Sequence, residues 1–272
     1  MKWVFLVFGA CAAGLLTAQS VSPAEQRGKK IIDNAVQGLG GEKFLHMEDR
    51  TEYGRAYSFY RDQISGRDDA TIYTRYITVP QGRSGTFIGQ RERQAFGKEE
   101  ESAVLFTEKS GWEITWHGVK ELPKDRLERY RDTTLRDVFY ILRQRLREPG
   151  MIFESRGADV FNNMPVEIVD ITDSQNRLVT VYFHQSTGLP VRQEYKRFND
   201  QTKEQDDEVT LYSRYREDDG VMWPQQIHRE RNGEKVYEIF SETVKINTDL
   251  ADDLFSLPPE GSDLTKPPRR KK

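Results

Sequence analysis

The chain of 272 residues is 36% hydrophobic, 31% charged and 11% aromatic. This aromatic content excludes a wholly disordered chain, and the length suits one large all-β domain of about 200–250 residues. Only one cysteine is present, Cys11, so intrachain disulfides and zinc sites made of several cysteines are excluded.

The N-terminus has the pattern of a secretory signal peptide over residues 1–19. Lys2 provides the positive charge at the start, residues 3–16 form the apolar run, and Leu16-Thr17-Ala18 resembles the small-residue cleavage site. The run is shorter than the about 20 residues of a membrane span, which favours cleavage over a retained anchor. Lipid attachment at Cys11 is a third, weaker alternative. We therefore predict export to the periplasm or cell envelope.

Charge is divided unequally between the body of the chain and its C-terminus. Five basic residues and no acid lie between Lys266 and Lys272, in a predicted disordered tail of residues 261–272. Residues 20–265 then carry 35 basic and 44 acidic side chains, a balance that disfavours nucleic-acid binding. The tail suits weak contact with anionic lipid headgroups, at about 1 kcal/mol per basic residue. A solvated chain end is the more ordinary interpretation.

The first predicted element after the signal peptide is a helix over residues 23–37. Ser22 is a candidate N-cap, Pro23 occupies the first helical position, and Gly40 and Gly41 end the helix. Its apolar residues recur at helical spacing, which predicts one buried face.

Residues 48–118 change to the pattern of strands. Asp68-Asp69, Pro80-Gln81-Gly82 and Lys109-Ser110-Gly111 are predicted to separate these strands or to fold them into hairpins. In the last hairpin Trp112, Ile114 and Trp116 alternate with polar residues, so they project from one face.

A second helix is predicted over residues 124–147, after Pro123 and before Pro149-Gly150. Its apolar stripe includes Leu135, Phe139 and Leu142. Such a stripe must be buried, and a curved sheet is the surface that the sequence offers.

Strands resume at residue 151 and continue to the end of the domain. Four turns are predicted, at residues 173–176, Ser186-Thr187-Gly188, Asp218-Asp219-Gly220 and Asn232-Gly233. Asn232-Gly233 has the strongest hairpin signal, because both residues tolerate positive φ. Long antiparallel strands with interleaved tyrosine, arginine and glutamate favour a curved sheet that shelters one face. We predict a mainly β fold with two helices and about eleven strands, in one domain of residues 20–260.

Side chains for catalysis or metal binding do not form a recognisable pattern. His46, His117, His184 and His228 are scattered without metal-ligand spacing. No nucleophile elbow or P-loop occurs, and Gly38-Leu39-Gly40-Gly41 follows a helix where a dinucleotide motif follows a strand. The acidic runs at residues 99–101, 206–208 and 252–253 are interpreted as solvated loops. We predict no catalytic residue, metal or cofactor.

Three motifs give the chain a resemblance to a known superfamily. The motifs are Gly188-Leu189-Pro190-Val191, the strand ending in Asp219-Gly220-Val221-Met222-Trp223-Pro224, and the closing residues 247–258. They resemble the C-terminal half of LolA-like outer-membrane lipoprotein-sorting proteins. The resemblance implies an unclosed antiparallel half-barrel wrapped around helices, with a hydrophobic cavity for acyl chains and an envelope location. Receptor-contacting residues of the carriers have no matching positions here.

These observations favour a non-enzymatic binder of a lipid, a lipoprotein acyl group or another hydrophobic ligand. The candidate cavity residues are Trp112, Ile114, Trp116, Leu135, Phe139 and Leu142, each of which ordinary core packing explains equally well. The alternative is an interaction module that binds an envelope protein through a sheet face or edge.

Overall fold

A computed structural model of the protein describes residues 21–80, 87–199, 202–259 and 261–262. Three predicted features lie outside the described residues: the signal peptide with Cys11, the Gln81-Gly82 part of one turn, and the basic residues of the tail. Within these ranges no helix has the length and apolarity needed to cross a membrane.

Two helices begin the described chain. Helix α1, Pro23–Leu39, starts as predicted, because Ser22 Oγ accepts a hydrogen bond from the Glu25 backbone N–H at 3.1 Å. It ends at Gly40, whose φ of 123° favours glycine. A short helix α2, Glu42–Leu45, follows.

The remaining chain is dominated by one antiparallel sheet. The thirteen strands seen in the described residues are β1 Asp49–Tyr60, β2 Gln63–Tyr76, β3 Gln90–Phe96, β4 Ser102–Phe106, β5 Gly111–Thr115, β6 Gly118–Glu121, β7 Ile152–Phe161, β8 Met164–Thr172, β9 Leu178–His184, β10 Pro190–Phe198, β11 Gln205–Asp218, β12 Val221–Arg231 and β13 Glu234–Ile246. Their order is β6-β5-β4-β3-β2-β1-β13-β12-β11-β10-β9-β8-β7, so β6 and β7 are open edges. The predicted mainly β, unclosed antiparallel architecture is confirmed.

Several predicted turns are present, and one was misplaced. Asn232 and Gly233 have φ values of 53° and 81°, as a type I′ hairpin requires. Asp68 and Asp69 do not separate strands, because both lie within β2 and pair with β1. The chain reverses instead at Arg61-Asp62, with φ values of 50° and 59°. This turn contains no glycine, so composition gave little sign of it.

The second predicted helix is interrupted. Helix α3 covers Lys124–Arg136, and Asp137 then adopts an extended conformation with ψ of 126°. The Asp137 carboxylate accepts a hydrogen bond from the Tyr140 backbone N–H at 3.0 Å, which caps a new helix α4, Val138–Tyr140. A π-helical turn, Ile141–Arg145, continues α4. The apolar spacing was preserved across this break, so periodicity alone did not reveal it.

The main core lies where helices cover the half of the sheet that ends at β7. It contains α1, α2, α4 and the π-helical turn, packed against β7 to β13. A Cβ atom at Gly28 of α1 would lie 2.2 Å from the Phe153 carbonyl oxygen, so glycine permits the close approach of α1 to β7. We call the helix-covered side of the sheet its inner face.

Candidate ligand-binding cavity

A cavity of about 460 Å³ lies on the inner face, between the α3–α4 region and the strands. Strand β12 shows how alternation forms its wall, because Trp223, Ile227, Arg229 and Arg231 are all odd-numbered and all line it. Residues of β1, β2, β3, β10, β11 and β13 contribute in the same way. The distance along β12 from Trp223 to Arg231 is about 26 Å at about 3.3 Å per residue.

The helical region closes the other side of the cavity. Tyr130 of α3 stacks on Phe106 of β4, with ring centroids 3.7 Å apart and ring planes 6° from parallel. Gln90 Nε2 donates a hydrogen bond to the Tyr130 hydroxyl at 3.0 Å. Thr134 and Leu135 are the buried residues of α3, and Arg131 Nη2 adds a hydrogen bond to the Lys109 carbonyl at 2.8 Å.

At one end of the cavity, which we call the inner end, four side chains form a continuous stack. The Arg50 guanidinium lies 4.1 Å from the centre of the Trp223 ring. Phe139 packs between Trp223 and Tyr212, at centroid distances of 4.6 and 5.1 Å. Because all four side chains are buried, this end is remote from solvent.

The Arg50 charge is balanced inside the protein. Arg50 pairs with the Glu52 carboxylate and donates a hydrogen bond to Thr74 Oγ1 at 3.0 Å. Ser241 also donates to Glu52. Burial opposes the charge of Arg50, but Glu52 raises the pKa of the guanidinium above its usual value. Arg50 therefore keeps its positive charge.

Two further carboxyl groups line the cavity in a different electrostatic setting. Burial raises the pKa of Glu92, against the opposing effect of a hydrogen bond from Gln94 Nε2 at 2.6 Å. Burial likewise raises the pKa of Asp137. Arg229 acts on both groups from across the cavity. The Arg229 side chain lines the cavity and is accessible to solvent there.

The opposite end, which we call the mouth, is basic. Arg197 and Arg231 both pair with Glu208, the latter through Nε at 2.9 Å. Burial and the two neighbouring positive charges lower the pKa of Arg129, whose side chain is exposed. Three arginines thus face one lining carboxylate at the mouth.

Tyrosine hydroxyl groups in the wall remain protonated at neutral pH. Burial raises the pKa of Tyr140 to about 12, although a hydrogen bond from the Gly89 backbone N–H at 2.6 Å opposes the shift. Burial also raises the pKa of Tyr130 and Tyr212 well above the usual range. These side chains therefore offer neutral hydroxyl groups.

A second depression, of about 700 Å³, lies elsewhere and is less suited to a ligand. Two of its charged residues already bind the backbone: Arg143 Nε donates to the Met47 carbonyl at 3.2 Å, and Asp49 accepts from the backbone N–H groups of Thr248 and Leu250. These contacts tie the segment after β13 to the start of β1, which is a structural role.

Solved structures of similar shape share this architecture. A DUF1329 family protein from Desulfovibrio piger superposes with a TM-score of 0.56 at 13% identity, covering 84% of this chain and 97% of its own. An outer membrane lipoprotein-sorting protein domain from Vibrio parahaemolyticus gives 0.56 at 12% identity, covering 85% and 97%. A LolA superfamily protein from Nitrosomonas europaea gives 0.51 at 12%, with the same coverage. The chain has a LolA-like fold. No family model and no curated protein matches the sequence.

Within the LolA-like fold, the six predicted cavity residues occupy different environments. Phe139 lines the cavity. The other five lie outside its lining: Leu135 and Leu142 are buried in separate core clusters, Ile114 and Trp112 pack in the cluster beneath β4 and β5, and Trp116 is 67% exposed beside His117. A ligand-binding role for the six remains a prediction, and the geometry gives it most support at Phe139.

Sequence reasoning missed most of the lining because that lining is polar. Five arginines and four carboxylates face the cavity, together with tyrosines and glutamines. Alternation along β12 groups Trp223 with Arg229 and Arg231. Charged residues are mostly exposed to solvent, however, so the pattern alone does not place these arginines in a cavity wall. The resemblance implies a hydrophobic cavity, and the cavity found here has apolar residues beside charged ones.

Polar clusters outside the cavity have structural partners. Among the described residues no group of three or more histidine, cysteine, aspartate and glutamate side chains is placed to hold a metal ion. Two members of the acidic runs are not solvated as predicted. Glu100 is buried and accepts from the Tyr73 hydroxyl at 2.7 Å, and Asp206 is buried and accepts from Asn199 and Asn232, each at 2.9 Å.

Proposed function

We propose that the protein binds an amphiphile, a lipid or a lipoprotein acyl group, in the inner-face cavity and carries it within the cell envelope. The observation that supports this most is the cavity itself, whose volume lies in the range of about 300–1,000 Å³ typical of ligand sites. The predicted signal peptide is consistent with an envelope location. Two proteins of similar fold are named for lipoprotein sorting or the LolA superfamily, which supports the same ligand class.

The apolar part of the lining gives the energetic basis for acyl binding. Ile72, Ile227, Ile239 and Phe139 lie among aromatic rings on the cavity wall. Each buried methylene contributes about 0.8 kcal/mol, so an acyl chain of about 14 carbons gains about 10 kcal/mol before ordering costs. The polar part of the lining then selects among ligands of equal chain length.

Entry into the cavity is assigned to movement of α3. This helix has two buried residues, Thr134 and Leu135. Its attachments to the sheet include the Tyr130 stack on Phe106, the hydrogen bond from Gln90, and hydrogen bonds from Arg131 to the carbonyl oxygens of Glu108 and Lys109. By contrast α1 packs closely on β7 and belongs to the main core. Displacement of α3 would therefore open the cavity at a lower cost than displacement of α1.

A cavity-filling substitution tests the proposal. Ile227→Trp places a large ring in the cavity, whereas Gln226→Trp places the same ring on the opposite face of the same strand. We expect Ile227→Trp to lower affinity for a neutral naphthylamine dye and for added phospholipid at least tenfold. Gln226→Trp serves as the matched control and should bind as the parent protein does. Equal binding by both variants would contradict the assignment of the cavity.

The open edge of the sheet supports a second candidate function, binding of an envelope protein. Strand β7 is ten residues long, lies at an edge, and exposes Val160 by 67%. Such an edge can accept a strand from a partner. Replacing Val160 with lysine should abolish capture of an envelope protein under this candidate, and should leave lipid uptake unchanged.

A further inference from the structure

Three buried hydrogen-bond donors at the inner end of the cavity have no acceptor among the described residues. They are Arg50 Nε, Tyr212 OH and Trp223 Nε1. The exposed fractions of these side chains are 7%, 4% and 3%, and all three residues line the cavity. Buried donors without acceptors are uncommon in folded proteins, because each lacks the hydrogen bond that water supplied in the unfolded chain.

The three donors belong to one continuous group. Arg50 covers the Trp223 ring, and Phe139 contacts both Trp223 and Tyr212. Arg214 has a positive φ of 57° and lies between the pairs Ser213–Gln226 and Tyr215–Pro224, so the backbone of β11 is locally irregular there without a change of register. Tyr212 lines the cavity where the cavity meets the main core, whereas Tyr215 is not part of the lining and donates its hydroxyl proton to the Pro190 carbonyl at 2.6 Å.

The charges around the donors determine which acceptor suits them. Two guanidinium groups, Arg50 and Arg229, lie on the wall with three carboxyl groups, Glu52, Glu92 and Asp137. Arg50 is already paired with Glu52. An additional anion would therefore increase an existing excess of acidic groups, whereas an uncharged carbonyl oxygen accepts hydrogen bonds without adding charge.

We propose that Arg50, Tyr212 and Trp223 form a subsite for an uncharged carbonyl oxygen, so that the preferred ligand is an acyl ester or amide and not a free fatty acid or a hydrocarbon. This inference rests on the proposed function, because it presumes an acyl chain in the same cavity. The basic mouth lies at the far end of β12 and does not contribute to the subsite.

The test compares three ligands with chains of equal or nearly equal length: methyl hexadecanoate, hexadecanoic acid and heptadecane. Each displaces a neutral naphthylamine dye from the full-length mature protein at pH 7.5. The Tyr212→Phe variant removes one donor and keeps the ring against Phe139. Tyr215→Phe is the matched control, since it removes a hydroxyl from the same strand outside the cavity lining.

We expect the parent protein to prefer the ester to the alkane by about three- to tenfold, the value of one hydrogen bond. Tyr212→Phe should lose most of that preference, and Tyr215→Phe should keep it. The acid should bind more weakly than the ester.

Each other outcome overturns the inference in a distinguishable way. Equal binding of ester and alkane, or an unchanged preference in Tyr212→Phe, would mean that solvent alone satisfies the donors, and acyl binding would stand. Tighter, Tyr212-dependent binding of the acid would replace the carbonyl subsite with an anion subsite. Failure of all three ligands to displace the dye would overturn the proposed function as well.

Discussion

Truncating Phe139 tests whether it is a cavity wall residue. Leu142, three positions away in the ordinary core, provides the control. Phe139 is 3% exposed and lines the cavity, whereas Leu142 is fully buried and does not. Phe139→Ala removes two aromatic contacts worth about 0.5–1.5 kcal/mol each, within a total of about 3–5 kcal/mol. Leu142→Ala should cost about 2–5 kcal/mol. Urea denaturation should therefore show similar losses for both variants.

Ligand length distinguishes the two variants. Removing the Phe139 ring enlarges the cavity at its inner end, so binding should continue to strengthen for chains longer than the parent protein prefers. Each additional buried methylene should raise affinity about fourfold, from about 0.8 kcal/mol per group. Leu142→Ala creates a void in the core that is separate from the cavity, so its length profile should match the parent. Dye displacement by esters of increasing chain length measures both profiles. An identical shift in both variants, or no shift in Phe139→Ala, would refute the placement of the cavity.

Three further predictions concern stability, pH and exchange. Tyr212→Phe should leave the free energy of unfolding unchanged or raise it, whereas Tyr215→Phe should lower it by about 1 kcal/mol by leaving the Pro190 carbonyl without its donor. Burial raises the pKa of Glu92 above its usual 4.5, so ionised Glu92 destabilises the folded state as the pH rises above that value. Glu92→Gln should therefore be more stable than the parent at pH 8. The difference in stability should vanish towards pH 4.5. Tyr130→Ala removes the stack on Phe106 and should increase the rate of dye release about three- to tenfold.

Each of these has a result that would count against it. Equal destabilisation by the two tyrosine substitutions in urea would mean that the Tyr212 hydroxyl is satisfied inside the protein. A difference between Glu92→Gln and the parent that grows towards low pH would reverse the sign of the proposed burial effect. Unchanged release kinetics in Tyr130→Ala, followed by stopped-flow fluorescence, would assign entry to a part of the molecule other than α3.

Much of the architecture follows from local signals in the sequence. Ser22 and Pro23 predict the start of α1, and Asn232-Gly233 predicts the β12–β13 hairpin, because each depends on backbone preferences of neighbouring residues. The break at Asp137 and the positive φ of Arg214 were not predictable in this way. Asp137 acts as an N-cap within an apolar pattern that continues unbroken, and arginine is a residue type that rarely adopts positive φ, so the sequence gives no sign of the irregularity at Arg214.

The candidate site was less predictable than the fold. Burial of Arg50 depends on Glu52 of the same strand, on Thr74 of β2 and on Trp223 of β12, and the last of these is distant in sequence. A single arginine on a strand is ordinarily solvated, so no local rule indicates a buried pair. Phe139 was found because apolar spacing selects helix residues that face a sheet. The same rule selected Leu142, since it cannot separate a cavity wall from a filled core.

Native mass spectrometry can show whether the inner-face cavity carries an acyl ligand in the cell envelope. The protein would be purified without detergent from a periplasmic fraction, and its mass recorded before and after organic extraction. We predict a bound species that is lost on extraction, is identified in the extract as an acyl ester or amide, and is reduced in Ile227→Trp but not in Gln226→Trp. An unliganded mass for the parent protein, with no uptake of added phospholipid or acylated peptide, would contradict the claim.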